Sequence, residues 1–217
     1  MRQDRYNPFS VNCHHTVMSA LESFNQACFL LINATPASSV LMIKLAIFFA
    51  KYLILLIPVL LLLMWLWGER AQRERALKVL FSVGLALLCN QLIGMLWDHP
   101  RPFAIGLGYR FIDHAADPSF PSDHTTIFAT TAFAFWLAGK ARLGQLLLLL
   151  TVLVGVSRIY LGVHWPLDIL GGLLLSLPYA LAMHAAWPRF GQRVLDGLNR
   201  SYRCLLAKPI ALGWVKA

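Results

Sequence analysis

Five long segments of this 217-residue chain consist almost entirely of apolar residues, and they restrict the possible folds more than any other feature. They cover residues 39–67, 79–97, 125–137, 144–156 and 166–186. A helix of about 20 apolar residues spans the hydrocarbon core of a bilayer. Only 13% of the residues are charged, which is roughly half the share typical of a soluble domain. The sequence therefore predicts an all-α membrane helix bundle with about five transmembrane helices, and it excludes an ordinary soluble enzyme.

The residues before the first segment are more polar. Glu22, Asn25 and Gln26 interrupt the apolar positions of residues 17–32, which is typical of a helix lying in the membrane interface, with a sixth crossing as the alternative. Residues 1–15 contain no continuous apolar run, so no cleavable signal peptide is expected. We predict a single domain over residues 1–217, with an N-terminal interfacial helix (17–36), a transmembrane core (39–186) and a basic cytoplasmic tail (187–217).

Lysine and arginine collect in three regions: the connection 68–78, the connection 139–144 and the tail. Such residues beside helix ends mark the cytoplasmic side, so residues 98–120 and 161–165 are predicted to face outward. This topology explains the net charge of +9 without nucleic-acid binding. The tail is predicted to form an amphipathic helix on the anionic cytoplasmic leaflet, because four apolar residues have helical spacing there: Leu195, Leu198, Tyr202 and Leu205.

Polar residues that topology does not explain occur at the outward ends of the second to fifth segments. They are Arg101, Ser122, Asp123, His124, Arg158, His164 and Asp168. Helix ends on one side of a small bundle lie within a helix diameter or two of each other. We therefore expect these residues to share one pocket. The four cysteines show no CxxC spacing, so neither a disulfide framework nor a zinc site is expected.

His164 and Asp168 flank the start of the last apolar segment. Pro166 suits the first turn of a helix, so Asp168 is predicted to lie close enough to bond one imidazole nitrogen of His164. The other nitrogen is then free to act as a nucleophile, a general base or a metal ligand. The structural alternative is that Asp168 only complements the helix dipole.

The start of the third segment is a second candidate for anion binding. Ser122 suits the N-cap of a helix, and a helix N-terminus attracts anions, with His124 in its first turn. Arg101 and Arg158 have guanidinium groups that match phosphate oxygens. A structural alternative is an ion pair of Arg158 with Asp123 or Asp168. Two arginines, a helix start and two histidines together favour a phosphate site.

Three stretches resemble the signature motifs of the type 2 phosphatidic acid phosphatase superfamily. They are RP at 101–102, PSDH at 121–124 and SRIYLGVHWPLD at 157–168, which resemble KxxxxxxRP, PSGH and SRxxxxxHxxxD. The third motif matches at every fixed position. Asp123 replaces glycine in the second, and Gly94 stands where the first has lysine. PSDH and the NATP sequence at 33–36 resemble the bacterial undecaprenyl-diphosphate phosphatase branch.

The resemblance implies phosphoryl transfer without a metal or another cofactor. It implies that His164 is the nucleophile, that Asp168 orients it, and that His124 protonates the leaving group and then activates water. The implied phosphate-binding residues are Arg101, Arg158, Ser122 and Asp123, the last through its backbone. Lys44 or Lys51 is a candidate replacement for the missing lysine, and the alternative role for either is an interfacial anchor.

An outward-facing site at headgroup depth reaches the phosphate of a lipid whose tail stays in the bilayer. The expected activity is hydrolysis of undecaprenyl diphosphate on the periplasmic side of the bacterial inner membrane, which recycles the cell-wall lipid carrier and confers bacitracin resistance. The competing activities are those of a phosphatidylglycerophosphate, phosphatidate or lipid A phosphatase. The competing non-catalytic function is lipid binding or export. Membrane lipids are expected partners, and no nucleic acid or obligatory protein partner is expected.

Overall fold

The computed structural model describes residues 8–216, with side chains from Ala20 onward. The helices are α1 (Pro8–Ile32), α2 (Val40–Ile47), α3 (Leu56–Leu66), α4 (Arg70–Leu96), α5 (Asp123–Leu137), α6 (Ala141–Tyr160), α7 (Pro166–Leu205) and α8 (Ala207–Ala211). A π-helical turn (Phe48–Tyr52) and a 3-10 turn (Leu53–Leu55) join α2 to α3, and a 3-10 turn (Pro102–Ile105) lies in the loop after α4. The all-α prediction is confirmed. The signal-peptide prediction and the side chain of Cys13 fall largely outside the described residues.

Four described helices are long and apolar enough to cross a membrane. They are Val40–Leu66, Arg70–Leu96, Ala141–Tyr160 and Pro166–Leu205. Large apolar side chains such as Leu62, Leu88 and Leu149 are exposed on their outer faces, where lipid replaces water. α5 has only 15 residues and packs at the centre of the bundle against α4, α6 and α7. The chain is a multi-pass membrane protein.

The core of the bundle surrounds α5. Phe128 and Phe135 of this helix are fully buried and belong to one apolar cluster with Val79 of α4 and Val154 of α6. α7 approaches α5 closely at Gly172, where an added Cβ would lie 3.0 Å from the carbonyl oxygen of Ser122. This close approach places the start of α7 beside the start of α5.

The helix α1 begins earlier than predicted and packs against the outward end of the bundle, the end that carries residues 98–120 and 161–165. Asn25 and Phe29 are buried on its inner face, whereas Leu21 and Leu31 are exposed. The Asn25 side-chain oxygen accepts a hydrogen bond from the backbone N–H of Leu167 (3.1 Å). α1 is therefore fixed to the first turn of α7, and its location in the membrane interface stays a prediction.

The two outward loops are in contact with each other, and the backbone N–H of Phe111 donates to the carbonyl oxygen of Leu161 (3.1 Å). Asn33 accepts a hydrogen bond from the backbone N–H of Tyr109 (2.8 Å) and donates to the carbonyl oxygens of Tyr109 (2.9 Å) and Tyr160 (3.1 Å). Gly162 has a φ of +80°, and an added Cβ there would lie 2.1 Å from the Tyr109 carbonyl oxygen. These contacts hold the 98–120 loop tightly over the ends of α6 and α7.

At the opposite, basic end two helices extend beyond the predicted apolar segments. α4 begins at Arg70 rather than near residue 79, so most of the basic connection is helix. α7 does not end near residue 186 but continues to Leu205, a length of about 60 Å. The tail is therefore not a separate helix at its start. Of the four apolar residues predicted for its lipid-facing side, Leu195 and Tyr202 are buried in the protein, whereas Leu198 and Leu205 are exposed.

Arg73 is buried at the basic end, although the sequence placed it in an exposed connection. Its Nε donates to the carbonyl oxygen of Trp65 (2.9 Å), its Nη1 to Asn199 Oδ1 (3.0 Å) and its Nη2 to the carbonyl oxygen of Lys216 (2.8 Å). The guanidinium also lies 4.4 Å from the ring centre of Tyr202. Arg73 thus connects the start of α4 to the last turns of α7 and to residue 216.

Candidate active site

A cavity of about 220 Å³, called here the catalytic cavity, opens among the outward helix ends. The residues predicted for the site that line it are Arg101, Asp123, His124, Arg158 and His164. The start of α5 supplies Asp123 and His124, the end of α6 supplies Arg158, and the turn before α7 supplies His164. Five of the seven residues predicted to share a pocket thus line one cavity, and both histidines are among them.

Ser122 and Asp168 are fully buried beside this cavity rather than in its lining. The backbone N–H of Ser122 donates to the carbonyl oxygen of Asp168 (3.1 Å), which joins the starts of α5 and α7. Ser122 precedes α5 as predicted, but its hydroxyl makes no capping bond and instead accepts from Thr125 Oγ1 (3.2 Å). The expected side-chain cap is wrong because the hydroxyl faces its neighbour on the helix.

His164 is held by polar groups on both ring nitrogens. Its Nδ1 lies 3.2 Å from Asp168 Oδ2, so the predicted contact is present. Its Nε2 lies 3.1 Å from Arg101 Nη1 and 3.4 Å from Arg158 Nη2. Guanidinium groups only donate hydrogen bonds, so Nε2 must accept and Nδ1 must carry the proton. The imidazole therefore presents an unprotonated Nε2 to the cavity.

The carboxylate that orients His164 has further partners that the sequence analysis missed. Asp168 Oδ2 also accepts hydrogen bonds from the hydroxyl of Ser119 and from the backbone N–H of Trp165 (2.8 Å). Its other oxygen, Oδ1, lies 3.9 Å from Nδ1 of His99, whose Nε2 lies 3.4 Å from Glu22 Oε2. The carboxylate is thus fixed by the loop before α5, and α1 extends the polar network.

The two arginines differ in their counterions. Arg101 donates from Nε to Asp117 Oδ1 (3.0 Å) and from Nη1 to the carbonyl oxygen of Val163 (2.8 Å). Arg158 is only 3% exposed, forms no salt bridge with any described carboxylate, and has no partner for Nε. The alternative in which Arg158 pairs with Asp123 or Asp168 is therefore wrong. The carboxylates of Asp123 and Asp117 attract Arg158 only from beyond salt-bridge distance. A buried guanidinium without a direct counterion is costly, and a bound anion would reduce that cost.

Burial and the charges around the cavity change the pKa values of His164 and Asp117, which lie in the loops outside the membrane-spanning segments. Burial, reinforced by the positive charges of Arg158 and Arg101, holds the pKa of His164 well below its usual value, so its imidazole is neutral. Burial opposes ionisation of Asp117, but the charge and hydrogen bond of Arg101 nevertheless lower the pKa of this carboxyl. The cavity therefore combines a neutral imidazole with fixed positive charge, which suits an anionic substrate.

The cavity also contains residues that the sequence analysis passed over. Asn90 and Gln91 line it from α4, and Asn90 Nδ2 donates to Asp123 Oδ1 (2.9 Å). Two adjacent amides inside an apolar segment were a usable signal, because polar side chains at such positions usually have a function. Gly94 lines the cavity too, and an added Cβ there would lie 3.3 Å from Pro118 Cβ.

The described residues contain no group of three or more His, Cys, Asp or Glu side chains that could hold a metal ion. Cys28, Cys89 and Cys204 are free thiols in this part of the chain. The chemistry available from the described side chains is therefore attack by Nε2 of His164, proton transfer by His124 and stabilisation of negative charge by Arg101 and Arg158.

Comparisons with known proteins identify relatives of this chain. The chain is 45% identical over 196 residues to "Putative undecaprenyl-diphosphatase YbjG" of Escherichia coli (strain K12), which covers 90% of this chain and 99% of that protein. It is 35% identical over 131 residues to undecaprenyl-diphosphatase BcrC of Bacillus subtilis (strain 168), covering 60% and 67% respectively. The crystal structure of Aquifex aeolicus LpxE is similar with a TM-score of 0.58 and 26% identity, over 73% of this chain and 93% of that one.

Residues 75–192 match the PAP2 superfamily, whose motifs the sequence resembles. This range includes every residue that lines the catalytic cavity, together with Ser119, Ser122 and Asp168. The match extends over more than half of the chain, and the chain belongs to the PAP2 superfamily.

Proposed function

We propose that this membrane protein hydrolyses undecaprenyl diphosphate to undecaprenyl phosphate and inorganic phosphate. The main support is that an unprotonated imidazole nitrogen and two guanidinium groups face one cavity at the end of a membrane bundle. A lipid phosphate reaches such a cavity while its tail stays in the bilayer. The names of the relatives from E. coli and B. subtilis support a polyprenyl diphosphate as the lipid.

The first step is phosphoryl transfer to His164. Its Nε2 attacks the terminal phosphorus, and the bond from that phosphorus to the bridging oxygen breaks. The bridging oxygen leaves with undecaprenyl phosphate and takes a proton from His124. His124 is protonated in the substrate complex, where the diphosphate offsets the effect of burial and of the positive charges of Arg158 and Arg101, which otherwise favour its neutral form. Arg101 and Arg158 stabilise the charge that develops on the phosphoryl oxygens. Asp168 accepts the Nδ1 hydrogen bond and stabilises the positive imidazole of the phosphohistidine.

The second step is hydrolysis of the phosphohistidine. His124 is now neutral and accepts a proton from a water molecule while the water oxygen attacks phosphorus. The bond between phosphorus and Nε2 breaks and returns its electron pair to His164. Phosphate then leaves, and the tautomer held by Asp168 is restored. Asp123 acts in this scheme through its backbone at the start of α5, beside the phosphate. Ser122 acts indirectly, because its backbone N–H is bonded to the carbonyl oxygen of Asp168 and joins the starts of α5 and α7.

The site is proposed to face the periplasm of a bacterial inner membrane. The basic residues of the connections and of the tail belong on the cytoplasmic side, so the catalytic cavity lies at the opposite end of the helices. In that location the enzyme removes the terminal phosphate from the lipid carrier released by cell-wall polymerisation. Because hydrolysis removes the diphosphate, less of this lipid remains exposed to bacitracin.

The test is phosphate release by purified protein in a chelator, with wild type and His164→Ala. The substrates are undecaprenyl diphosphate, phosphatidylglycerophosphate, phosphatidate and lipid A. We expect the highest kcat/KM with undecaprenyl diphosphate and no activity in the variant. Preference for a glycerophospholipid or lipid A would overturn the substrate assignment. Equal activity of both proteins would overturn the role of His164, and no phosphate release by wild type from any of these lipids would overturn the proposed function.

A further inference from the structure

A second cavity of about 580 Å³ adjoins the catalytic cavity. Three residues line both cavities: His114, His124 and Arg158. The second cavity also contains Lys51 and Arg110, which the catalytic cavity lacks. The two spaces therefore share a wall, and additional positive charge lies on its far side. We call this second space the lysine cavity.

Lys51 lies at an unusual depth for a charged residue. It belongs to the first crossing helix and lies 15 residues before its end at Leu66, about 22 Å along the axis. That position falls within the ~30 Å hydrocarbon thickness, where a charge is costly unless it faces a polar cavity or an anion. Lys51 forms no salt bridge with any described carboxylate, and its Nζ lies 5.8 Å from the ring centre of Tyr52.

The π-helical turn at Phe48–Tyr52 includes Lys51. A turn of this kind changes the direction of side chains relative to an α-helix and is frequent at functional sites. Ala50 beside it is fully buried, whereas Lys51 lines the lysine cavity. Lys51 therefore lines a cavity whose lining also includes His124 and Arg158.

Arg110 completes the positive charge. Its Nη1 donates to the carbonyl oxygen of His114 (3.4 Å) and its Cζ lies 4.7 Å from the ring centre of Phe103, so it is positioned without a salt bridge to any described carboxylate. Asp113 is the acidic residue of the lining. With Lys51, Arg110 and Arg158 against one carboxylate, the lysine cavity has an excess of two positive charges when its histidines are neutral.

We propose that the lysine cavity binds the lipid-attached phosphate of a diphosphate substrate while the catalytic cavity holds the terminal phosphate. This inference rests on the proposed function. The two phosphates share one bridging oxygen, so their sites must share a wall. His124 lies on that wall, where the bridging oxygen needs its proton. Lys51 and Arg110 stabilise the charge of the departing lipid phosphate, which makes the site selective for diphosphates over monophosphates.

The test measures binding of methylenediphosphonate and methylphosphonate to the full-length protein by calorimetry, so it needs no turnover. We expect Lys51→Met and Arg110→Gln each to weaken diphosphonate binding by about ten- to hundredfold, the effect of one charge-assisted hydrogen bond. Binding of the monophosphonate is expected to stay unchanged. Lys44→Met is the matched control, since Lys44 is an exposed lysine on the same helix outside both cavities, and it should change neither affinity.

Equal weakening of both ligands, or unchanged diphosphonate affinity in both variants, would overturn the inference. Thermal melts of the variants check that each is folded. Lys51 and Arg110 lie on different elements, so the inference can still be tested with one variant if the other does not fold. If wild type prefers the diphosphonate through Lys51 and Arg110 but does not hydrolyse undecaprenyl diphosphate, the lysine cavity is supported and the proposed function fails.

Discussion

Replacement of Arg158 by methionine distinguishes a phosphate-binding role of this residue from a structural one. Arg158 is buried, its Nε has no partner, and no described carboxylate forms a salt bridge with it. Methionine is unbranched and flexible, so it fills much of the same volume without the charge. We predict that Arg158→Met strongly lowers kcat and at the same time stabilises the protein in the absence of ligand.

The magnitude follows from the contacts of the guanidinium. Burial of an ion costs several kcal/mol, and Arg158 regains about 1 kcal/mol through the bond from Nη2 to His164 Nε2. We therefore expect the variant to gain about 1–3 kcal/mol of unfolding free energy, at about 2–4 °C in Tm per kcal/mol for a chain of this size. Loss of a group that stabilises the transition-state charge lowers kcat by about 10²–10³-fold.

The assay combines thermal unfolding in detergent with phosphate release from undecaprenyl diphosphate. Leu149→Met is the matched control, because Leu149 is an exposed residue on the same helix, and it should change neither quantity. A variant that unfolds at a lower temperature than wild type and still releases phosphate at the wild-type rate would show that Arg158 has a structural role, and the argument from its missing counterion would be refuted.

Three further predictions follow from the same structure. Asp168→Asn should lower kcat by about 10³–10⁴-fold in rate assays, because an amide no longer fixes the His164 tautomer. The low pKa of His164 should place the acid limb of kcat/KM below pH ~6.5, and Tm should fall with pH below ~6.5, where the unfolded chain binds a proton that the folded protein does not. Arg73→Met should cost about 2–4 kcal/mol in thermal melts and leave kcat unchanged, because Arg73 lies about 26 Å along α4 from Asn90.

Each of these has a clear contrary result. Wild-type kcat in Asp168→Asn would remove the carboxylate from the mechanism. An acid limb above pH ~6.5 would contradict a neutral His164, and the acid-side fall in Tm should become shallower in His164→Gln if this residue causes it. A large loss of kcat in folded Arg73→Met would show that the basic end of the bundle is coupled to the catalytic cavity.

The sequence was sufficient for the parts of the fold that depend on local patterns. Apolar length predicted the crossings, and the motif spacing predicted that Arg158, His164 and Asp168 meet near the starts of two helices. The helix ends at the basic side were not predictable in this way. α7 continues past residue 186 because Leu195 and Tyr202 pack against other helices and Arg73. An apolar helix face has the same periodicity whether it contacts protein or lipid, so the sequence could not reveal these contacts.

The site shows the same division. Residues that belong to a motif or lie at a helix start were identified, including both histidines. Ser119 and His99 were missed because they lie in irregular loops, and their contacts with Asp168 arise only when the loop after α4 folds over the helix ends. Lys51 was considered only as an anchor or a substitute for a missing lysine, because its π-helical turn and its cavity are properties of the tertiary structure.

The central claim is that His164 becomes phosphorylated during turnover. The most direct measurement uses undecaprenyl diphosphate labelled in the terminal phosphate, with a rapid quench under alkaline denaturing conditions that preserve phosphohistidine, followed by peptide mapping of wild type and His164→Gln. The mechanism predicts label on the peptide that contains His164 in wild type and no labelled protein and no phosphate release in the variant. Release of labelled phosphate by wild type without label on His164, or turnover by the variant at the wild-type rate, would contradict it.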